Sequence, residues 1–186
     1  MEVQPTELAG VLIIRPRVFE DARGFFFESY NQEAFHAHGM DTVFVQDNHS
    51  KSARGTLRGL HFQAQPAAQV KLVRVVRGAI WDVAVDIRVG SPMFGRWVGV
   101  ELSAENFRQL YVPVGFAHGF CVLSDVAEVL YKTSYIYSPR HERGIVWNDE
   151  ALAVDWPMAE PLLSGRDRQL GNLADYLAGE PFVYGA

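Results

Sequence analysis

The stretch Trp81-Asp82-Val83-Ala84-Val85-Asp86-Ile87-Arg88 has the clearest two-residue alternation in the chain. Trp81, Val83, Val85 and Ile87 form an apolar set, and the residues between them are mostly polar. Because successive side chains of a strand point to opposite faces, the pattern predicts a strand with one apolar face. The polar face is either solvated or, in a small barrel, turned inward to line a ligand site. The alternation alone does not choose between these two arrangements.

Short apolar runs separated by Gly, Pro, Asn and Asp surround this stretch, and strand signals continue with little interruption over residues 57–136. This pattern is typical of an antiparallel sandwich or barrel and differs from the strand and helix alternation of α/β proteins. Residues 42–46 are also expected to be extended, and Asp47-Asn48 to begin a loop. The sequence therefore predicts an all-β fold.

Two segments carry helical signals. Asn31 is a candidate cap for a short helix over residues 32–38, which Gly39 would end. Near the C-terminus, apolar residues recur at helical spacing and predict an amphipathic helix over residues 167–178, ended by Gly179. The residues that show this spacing are Leu170, Leu173, Ala174 and Leu177. We therefore expect peripheral helices and a C-terminal helical tail within residues 162–186.

The composition limits the class of protein. The chain has 186 residues, of which 48% are hydrophobic, and a formal net charge of −5. This length suits a single domain over residues 1–186, and no block of like charges indicates a nucleic-acid-binding arm. The N-terminus has no basic region followed by an apolar core, and no apolar run approaches the roughly 18 residues of a membrane span. We expect a soluble, cytoplasmic protein without nucleic-acid or membrane partners.

His61, Lys71 and Tyr131 lie in or beside predicted strands and could share one barrel interior. An enzyme that removes a proton beside a ketone needs a base, an acid for the opposite face and charge stabilisation at the enolate oxygen. His61 is the candidate base because imidazole titrates near neutral pH, although a structural core histidine is an equally good interpretation. Lys71 interrupts an apolar strand and could contact an enolate or a phosphate. Tyr131 could donate a proton if a nearby cation lowers its pKa from about 10.

Two carboxylates are candidates for orienting the imidazole of His61. Asp82 alternates out of the apolar face of its strand, and Asp167 lies at the start of the predicted tail helix. Either carboxylate could hold the imidazole and stabilise its protonated form. Asp167 also completes the sequence Ser164-Gly165-Arg166-Asp167, which matches a helix capping box. The residues alone leave both alternatives open.

An anionic ligand would need local cations, because the chain as a whole is acidic. Arg23 after a predicted turn, Arg58 and Arg166 are candidates, since the planar guanidinium suits phosphate oxygens. Tyr135 and Tyr137 are two residues apart, so they would share a side and could stack on a nucleobase or simply pack. Each of these signals alone is weak.

A metal site is disfavoured by the motifs that resemble metal-binding ones. The sequence Pro113-Val114-Gly115-Phe116-Ala117-His118-Gly119 has the Pro-x-Gly-x-x-His form of the second cupin motif. The first cupin motif requires His-x-His, but the corresponding stretch is His61-Phe62-Gln63, which leaves too few nitrogen ligands for a closed site. His36-Ala37-His38 has the spacing but falls in the predicted helix, where such side chains diverge. We predict no metal.

Seven short motifs follow one another along nearly the whole chain. They are Arg23-Gly24-Phe25-Phe26, Gln46-Asp47-Asn48, Arg58-Gly59-Leu60-His61, Lys71-Leu72-Val73-Arg74, the alternating stretch from 82 to 88, Gly115-Phe116-Ala117-His118-Gly119-Phe120 and Trp147-Asn148-Asp149. In this order they resemble the dTDP-4-dehydrorhamnose 3,5-epimerase family of metal-free cupins. So many motifs in one order are hard to produce by packing alone.

The resemblance implies a cupin jelly-roll barrel that works as a homodimer, with the N-terminal strands of residues 1–48 joining the dimer sheet. It implies a dTDP-4-keto-6-deoxy sugar substrate and a reaction without a cofactor. In that reaction dTDP-4-dehydro-6-deoxy-glucose is epimerised at C3 and C5, through an enolate, to dTDP-4-dehydro-L-rhamnose. His61 matches the family's base, Tyr131 its acid and Asp167 the carboxylate that pairs with the base.

The other matched positions surround the ligand in the family. Lys71 and Asp82 match residues around the sugar, and Tyr137 matches the aromatic residue near the base. The remaining ligand-contacting positions are Arg23, Glu28, Gln46, Asn48, Arg58, His118, Glu142 and Arg166. Val70 stands where a glycine is expected and Arg166 where a lysine is usual.

Four other functions share these motifs or this fold. Epimerases that invert only C3 or C5, and ketoisomerases of related dTDP-4-keto sugars, would keep the fold and change only the outcome. A non-catalytic cupin that binds a nucleotide sugar, and a metal-dependent cupin, are the remaining alternatives.

Overall fold

The computed structural model describes residues 1–185 and consists mainly of strands. In chain order, the strands are β1 (Glu2–Pro5), β2 (Leu12–Arg15), β3 (Phe19–Asp21), β4 (Gly24–Phe26), β5 (Gln46–Ala53), β6 (Leu57–Gln63), β7 (Lys71–Arg77), β8 (Ala79–Asp86), β9 (Trp97–Ser103), β10 (Gln109–Val112), β11 (Phe116–Val122), β12 (Val126–Thr133) and β13 (Glu142–Gly144). The helical elements are α1 (Gln32–His36), a 3-10 turn (Asp167–Gln169) and α2 (Leu173–Ala178). Across residues 1–185, the helices are all too short or too polar to cross a membrane.

Two antiparallel sheets form the body of the fold. The six-stranded sheet has the order β1-β2-β10-β7-β12-β5, and the five-stranded sheet has the order β13-β6-β11-β8-β9. A separate hairpin is formed by β3 and β4. Strands that are far apart in sequence lie side by side in both sheets, as in a jelly roll. The prediction of an all-β cupin jelly roll is confirmed.

The alternating strand β8 is buried on both faces. Ala84 packs into the apolar core between the two sheets, and Asp82 on the same face is fully buried. Val83 and Val85 lie on the outer face, where they pack in a second apolar cluster with Trp156 of the C-terminal segment. The more polar row of β8 therefore points inward, because the C-terminal segment covers the apolar row.

The predicted helix over residues 167–178 is wrong in its extent. The 3-10 turn is followed by extended backbone at Leu170, and α2 begins only at Leu173. Asn172 and Asp175 form a capping box, in which each side chain accepts a hydrogen bond from the other residue's backbone N–H. This cap starts a new helix at a point where the helical spacing of the leucines suggested continuity. The predicted end at Gly179 and the predicted cap of α1 at Asn31 are both confirmed.

The segment predicted to open a loop at Asp47-Asn48 belongs instead to β5, and residues 42–45 lie outside any strand. β5 pairs with β12 along its whole length, from Gln46 opposite Thr133 to Ala53 opposite Val126. It is an edge strand of the six-stranded sheet, and one row of its side chains is exposed, namely Asp47, His49, Lys51 and Ala53. Because the other row lines a polar cleft, β5 lacks the apolar alternation by which a strand is usually predicted.

β6 and β11 approach each other closely at Gly59 and Gly119. Gly59 has a φ of +137°, and a Cβ built on it would lie 2.5 Å from the Cα of Gly119. The register of the two strands shifts between His118 and Phe120, and His118 pairs with His61. Glycine at position 59 therefore permits the strand approach that places His61.

We predict that Gly59→Ala destabilises the protein by about 1–3 kcal/mol more than Gly24→Ala, because the added methyl group is overpacked. Gly24 is a matched control: its φ is also positive, at +122°, but a Cβ there would meet nothing within 4 Å. Urea unfolding of both variants measures the difference. Equal losses of stability would show that the close approach of β6 and β11 imposes no constraint.

Candidate active site

A cleft between the two sheets collects half of the candidate site residues that the sequence singled out. β6 contributes from the five-stranded sheet, whereas β5, β7 and β12 contribute from the six-stranded sheet. The residues that line it are Gln46, Asn48, His61, Phe62, Gln63, Gln69, Lys71, Tyr131, Thr133, Tyr137 and Glu142. A ligand in this cleft would therefore be contacted by both sheets.

His61 is paired with Asp167. Nε2 of His61 lies 2.6 Å from Oδ1 of Asp167, whose side chain is only 5% exposed. Burial raises the pKa of Asp167, but hydrogen bonds from His61 and Ser164 lower it by more, so the carboxylate stays ionised. In a neutral imidazole, donation from Nε2 leaves Nδ1 as the basic nitrogen. The pair can therefore accept a proton and stabilise the resulting imidazolium.

Asp167 also contacts Ser164, but the capping box suggested by the sequence is not formed, because Arg166 is the N-cap of the 3-10 turn and makes no side-chain cap hydrogen bond. Ser164 Oγ donates to Asp167 Oδ2 at 2.7 Å and accepts from the Asp167 backbone N–H at 3.0 Å. The pairing with His61 and the contact with Ser164 are thus compatible, because the two carboxylate oxygens have different partners.

Asp82, the alternative partner of His61, is hydrogen-bonded to a different histidine, His118. Its Oδ1 lies 2.8 Å from Nε2 of His118, and both side chains are buried. Among the described residues, Asp82 Oδ2 has no hydrogen-bond partner. The structure therefore contains two neighbouring histidine–carboxylate pairs, and only that of His61 lines the cleft.

Lys71 points into the cleft from the start of β7. Its Nζ donates to the backbone carbonyl of His61 at 3.4 Å. Burial lowers the pKa of Lys71 to about 8, although the negative charges of Asp82 and Glu142 raise the pKa and offset part of this shift. The ammonium group is still mostly charged at neutral pH, so it can stabilise a negative oxygen in the cleft.

Tyr131 lines the cleft from β12, and the condition that a nearby cation lowers its pKa is not met. Burial raises the pKa of Tyr131, and the charge of Arg58 opposes this only in part, while Glu142 and Tyr137 raise it further. The phenol is therefore protonated at neutral pH. A protonated phenol can serve as a proton donor, which is the role that the resemblance implies for Tyr131.

Tyr137, Glu142 and Arg166 form a polar cluster at the mouth of the cleft. The Tyr137 hydroxyl and Arg166 both donate to Oε2 of Glu142, with a distance of 2.6 Å from Arg166 Nη1. The contacts with Tyr137 and Glu142 raise the pKa of Arg166 in spite of burial. The cluster leaves an arginine beside the cleft, where an anionic group could bind.

Other predicted ligand contacts are distributed unevenly. Gln46 and Asn48 line the cleft and are joined by a 2.8 Å hydrogen bond. Arg58 is exposed, and its Nε donates to Ser52 Oγ at 3.0 Å. It does not line the cleft in this chain, although its charge acts on Tyr131.

Arg23 and Glu28 do not belong to this cleft. Arg23 lies on the exposed β3–β4 hairpin and pairs with Asp21, and Glu28 accepts hydrogen bonds from the Asn31 amide. Both are on the N-terminal segment, which the structure keeps apart from the residues around His61.

Three polar lining residues were missed by the sequence reasoning: Gln63, Gln69 and Thr133. Two of them could have been found from strand periodicity, because residues two apart share a face. Gln63 follows His61 on β6, and Thr133 follows Tyr131 on β12. Gln69 lies in a loop and carried no such signal.

Within residues 1–185, no group of three or more His, Cys, Asp and Glu side chains is arranged to hold a metal ion. Gln63 occupies the position of the second histidine of the metal-cupin motif. Its amide is bonded to the backbone of Ala67 and Ser138. Metal independence of the reaction stays a prediction.

The model of the dTDP-4-dehydrorhamnose 3,5-epimerase family matches residues 5–175 of the chain. The chain belongs to this family. It is 61% identical over 168 residues to the dTDP-4-dehydrorhamnose 3,5-epimerase of Shigella flexneri, covering 90% of this chain and 93% of that protein. It is 59% identical over 177 residues to the enzyme of the same name from Pseudomonas aeruginosa, covering 94% and 97%.

A solved structure of the dTDP-4-dehydrorhamnose 3,5-epimerase family matches the fold over the full chain. It is the crystal structure of dTDP-6-deoxy-D-glucose-3,5-epimerase from Legionella pneumophila Philadelphia 1, in complex with dTDP-4-keto-L-rhamnose. The TM-score is 0.95 at 46% sequence identity, and the match covers 100% of this chain and 99% of that chain. The predicted family membership is confirmed.

We predict that one of the three lysines, Lys71, titrates with a pKa of about 8, because its ammonium group is desolvated in the cleft. NMR of protein labelled with ¹³C,¹⁵N-lysine follows all three, and Lys71→Arg assigns the shifted resonance by deleting it. If all three lysine resonances titrated at the ordinary pKa of about 10.4, the burial of the Lys71 ammonium group in the cleft would be contradicted.

Proposed function

We propose that this chain is a cofactor-independent dTDP-4-dehydrorhamnose 3,5-epimerase, which converts dTDP-4-dehydro-6-deoxy-glucose to dTDP-4-dehydro-L-rhamnose. One observation carries the proposal: His61 and Tyr131 line one cleft from opposing sheets. A sugar ring between the sheets would meet a base on one face and an acid on the other. Membership of the family and its named relatives support the choice of substrate. A cytoplasmic location stays a prediction.

The first half of each epimerisation is proton removal. C3 and C5 both flank the C4 ketone, so loss of either proton gives an enolate whose charge rests on the C4 oxygen. Nδ1 of His61 accepts the proton, and the ionised Asp167 stabilises the imidazolium that forms. Lys71 stabilises the developing oxyanion with its ammonium charge.

The second half is proton return on the other face. Tyr131 donates its O–H proton to the carbon from the six-stranded sheet, which inverts the centre. The tyrosinate is then reprotonated from solvent, and the imidazolium of His61 releases its proton to solvent, so that both groups return to their starting states. The positive charge of Arg58 reduces the cost of that transient anion. Burial of the phenol keeps Tyr131 protonated until the enolate forms.

The remaining cleft residues would hold the nucleotide sugar. We assign Gln46, Asn48, Asp82, His118 and Glu142 to the sugar and nucleotide contacts that the resemblance implies. Arg58 and Arg166 are assigned to the diphosphate, because guanidinium groups bind phosphate oxygens in a planar fork. Tyr137 is assigned to the ligand-facing rim. His118 and Asp82 are buried as a pair, so they act from behind the cleft wall.

We further propose that the enzyme is a homodimer in which the N-terminal strands of residues 1–48 join the dimer sheet, and Arg23 and Glu28 serve the cleft of the neighbouring copy. On the β3–β4 hairpin, Phe19, Phe25 and Phe26 are 51%, 60% and 68% exposed. A cluster of three exposed phenylalanines is unusual on a free monomer. Arg23 and Glu28 occupy ligand-contacting positions of the family but lie away from the cleft of their own chain. A second copy would supply the cleft that they contact, and β1 offers the edge along which sheets could join.

The proposed roles of His61 and Tyr131 predict different defects. In D₂O, His61→Ala should abolish deuterium incorporation at C3 and C5, because no base removes the protons. Tyr131→Phe should retain some exchange on the His61 face but lower inversion by about a hundredfold to ten-thousandfold, because the opposite face has no donor. NMR of dTDP-4-dehydro-6-deoxy-glucose with each variant measures exchange and inversion together.

The wild-type protein provides the control in the same experiment. Deuterium at both carbons supports the 3,5-epimerase, and deuterium at one carbon would replace it by a single-carbon epimerase. A ketoisomerase would move the carbonyl group. No exchange at either carbon, with the sugar nucleotide bound, would leave only the non-catalytic cupin.

The shared cleft predicts complementation between two inactive proteins. Arg23→Ala and His61→Ala homodimers should each be impaired, because each of their clefts lacks one group. After subunit exchange, a mixed dimer contains one cleft with both groups, so activity should recover toward about one quarter of the wild-type level for random pairing. Failure to recover in mixtures that have exchanged, as shown by native mass spectrometry with one variant labelled with ¹⁵N, would contradict a shared cleft.

A further inference from the structure

The loop of residues 134–141, which we call the rim loop, connects β12 to β13 and carries Tyr137. Tyr137 lines the cleft, although its residue surface is 45% exposed and the loop belongs to no strand. An exposed aromatic residue on an irregular loop has no fixed position unless other groups hold its backbone. The hydrogen bonds of the loop show which groups do so.

Two glutamines hold consecutive backbone N–H groups of the rim loop. Oε1 of Gln46 accepts from the N–H of Tyr137 at 2.8 Å. Oε1 of Gln63 accepts from the N–H of Ser138 at 2.6 Å. Gln46 belongs to β5 of the six-stranded sheet and Gln63 to β6 of the five-stranded sheet, so the backbone of Tyr137 is tied to both walls of the cleft.

Both polar atoms of the Gln63 side chain are hydrogen-bonded to backbone groups. The residue is 4% exposed, and its Nε2 donates to the carbonyl of Ala67 at 2.7 Å while its Oε1 holds Ser138. Gln63 therefore joins the rim loop to the loop that precedes β7. Removing this amide would leave the Ala67 carbonyl unpaired in a buried setting and the Ser138 N–H unpaired in a partly buried one, which favours displacement of both loops.

The ring of Tyr137 is held at its other end as well. Its hydroxyl donates to Glu142, which also accepts from Arg166. Backbone and hydroxyl together therefore determine where the ring stands over the cleft. Gln63 lies two residues after His61 on the same face of β6. One strand therefore positions both His61 and, through the rim loop, Tyr137.

We propose that Gln63 is a positioning residue, which acts through Tyr137 by holding the rim loop against the strand that carries the base. The proposal rests on the proposed epimerase function for its kinetic consequence. Its structural consequence, protection of the Ser138 N–H, is independent of any activity. A side chain that only filled space would not need an oxygen that accepts a hydrogen bond from the Ser138 N–H.

Gln63→Met is the test, because methionine keeps the volume and removes both polar groups. We expect kcat to fall by about tenfold to a hundredfold, the loss that a displaced contact can cause. Hydrogen exchange measured without substrate should show faster exchange in residues 134–141. In a Tyr137→Ala background, the same substitution should cause little further loss, because residues that act through one another are not additive.

Two further variants separate positioning from folding. Gln63→Glu keeps an acceptor for Ser138 N–H and should recover part of kcat, although it loses the donor to Ala67. Ser124→Ala is the matched control: Ser124 Oγ accepts from Ala79 N–H and donates to Val126 carbonyl, both at 2.8 Å, at the other end of β12. It removes the same kinds of hydrogen bond and should leave kcat unchanged in the folded protein.

The outcomes distinguish the two proposals. If wild-type protein incorporates no deuterium, the epimerase function fails, while hydrogen exchange still reports whether Gln63 holds the rim loop. The positioning role is overturned if folded Gln63→Met matches wild type in kcat. It is also overturned if the rim loop exchanges no faster, or if the losses from Gln63→Met and Tyr137→Ala simply add.

Discussion

The hydrogen bond between His61 and Asp167, 2.6 Å long, is the contact on which the rest of the site depends. It joins β6 to a carboxylate 106 positions further along the chain. The connection exists because the C-terminal segment covers the apolar outer face of the five-stranded sheet, in the cluster that contains Val83 and Trp156. Burial of that face thus brings a carboxylate to the imidazole and determines which ring nitrogen is basic.

The jelly roll gives this pair a counterpart on the opposite wall. Tyr131 stands on the other sheet, and burial keeps it protonated, whereas burial of Lys71 weakens its hold on the proton without removing its charge at neutral pH. The cleft therefore holds a protonated phenol together with a lysine that is still charged at neutral pH. An epimerase needs an acid on the opposite side of the substrate from the base, because inversion requires the proton to leave one face and return to the other.

Sequence patterns predicted the parts of the protein in which burial dominates. The alternation around Val83 identified a strand with one apolar face, and the order of the motifs identified the family. Patterns failed where polar contacts decide the structure: β5 looks like a loop because one row of it faces the cleft, and Asn172 starts a new helix inside an apparently continuous one. The choice between Asp82 and Asp167 also required tertiary contacts, since both carboxylates fit the spacing equally well. Gln63 showed no signal beyond its distance of two residues from His61.

The central claim is that the sugar ring lies between the two sheets, with base and acid on its opposite faces. A crystal structure of the protein with dTDP-4-dehydro-L-rhamnose measures this directly. The account predicts His61 Nδ1 on one side of C3 and C5 and the Tyr131 hydroxyl on the other, with Lys71 Nζ within hydrogen-bond reach of the C4 oxygen. A sugar ring with both side chains on the same face, or one bound outside this cleft, would contradict it.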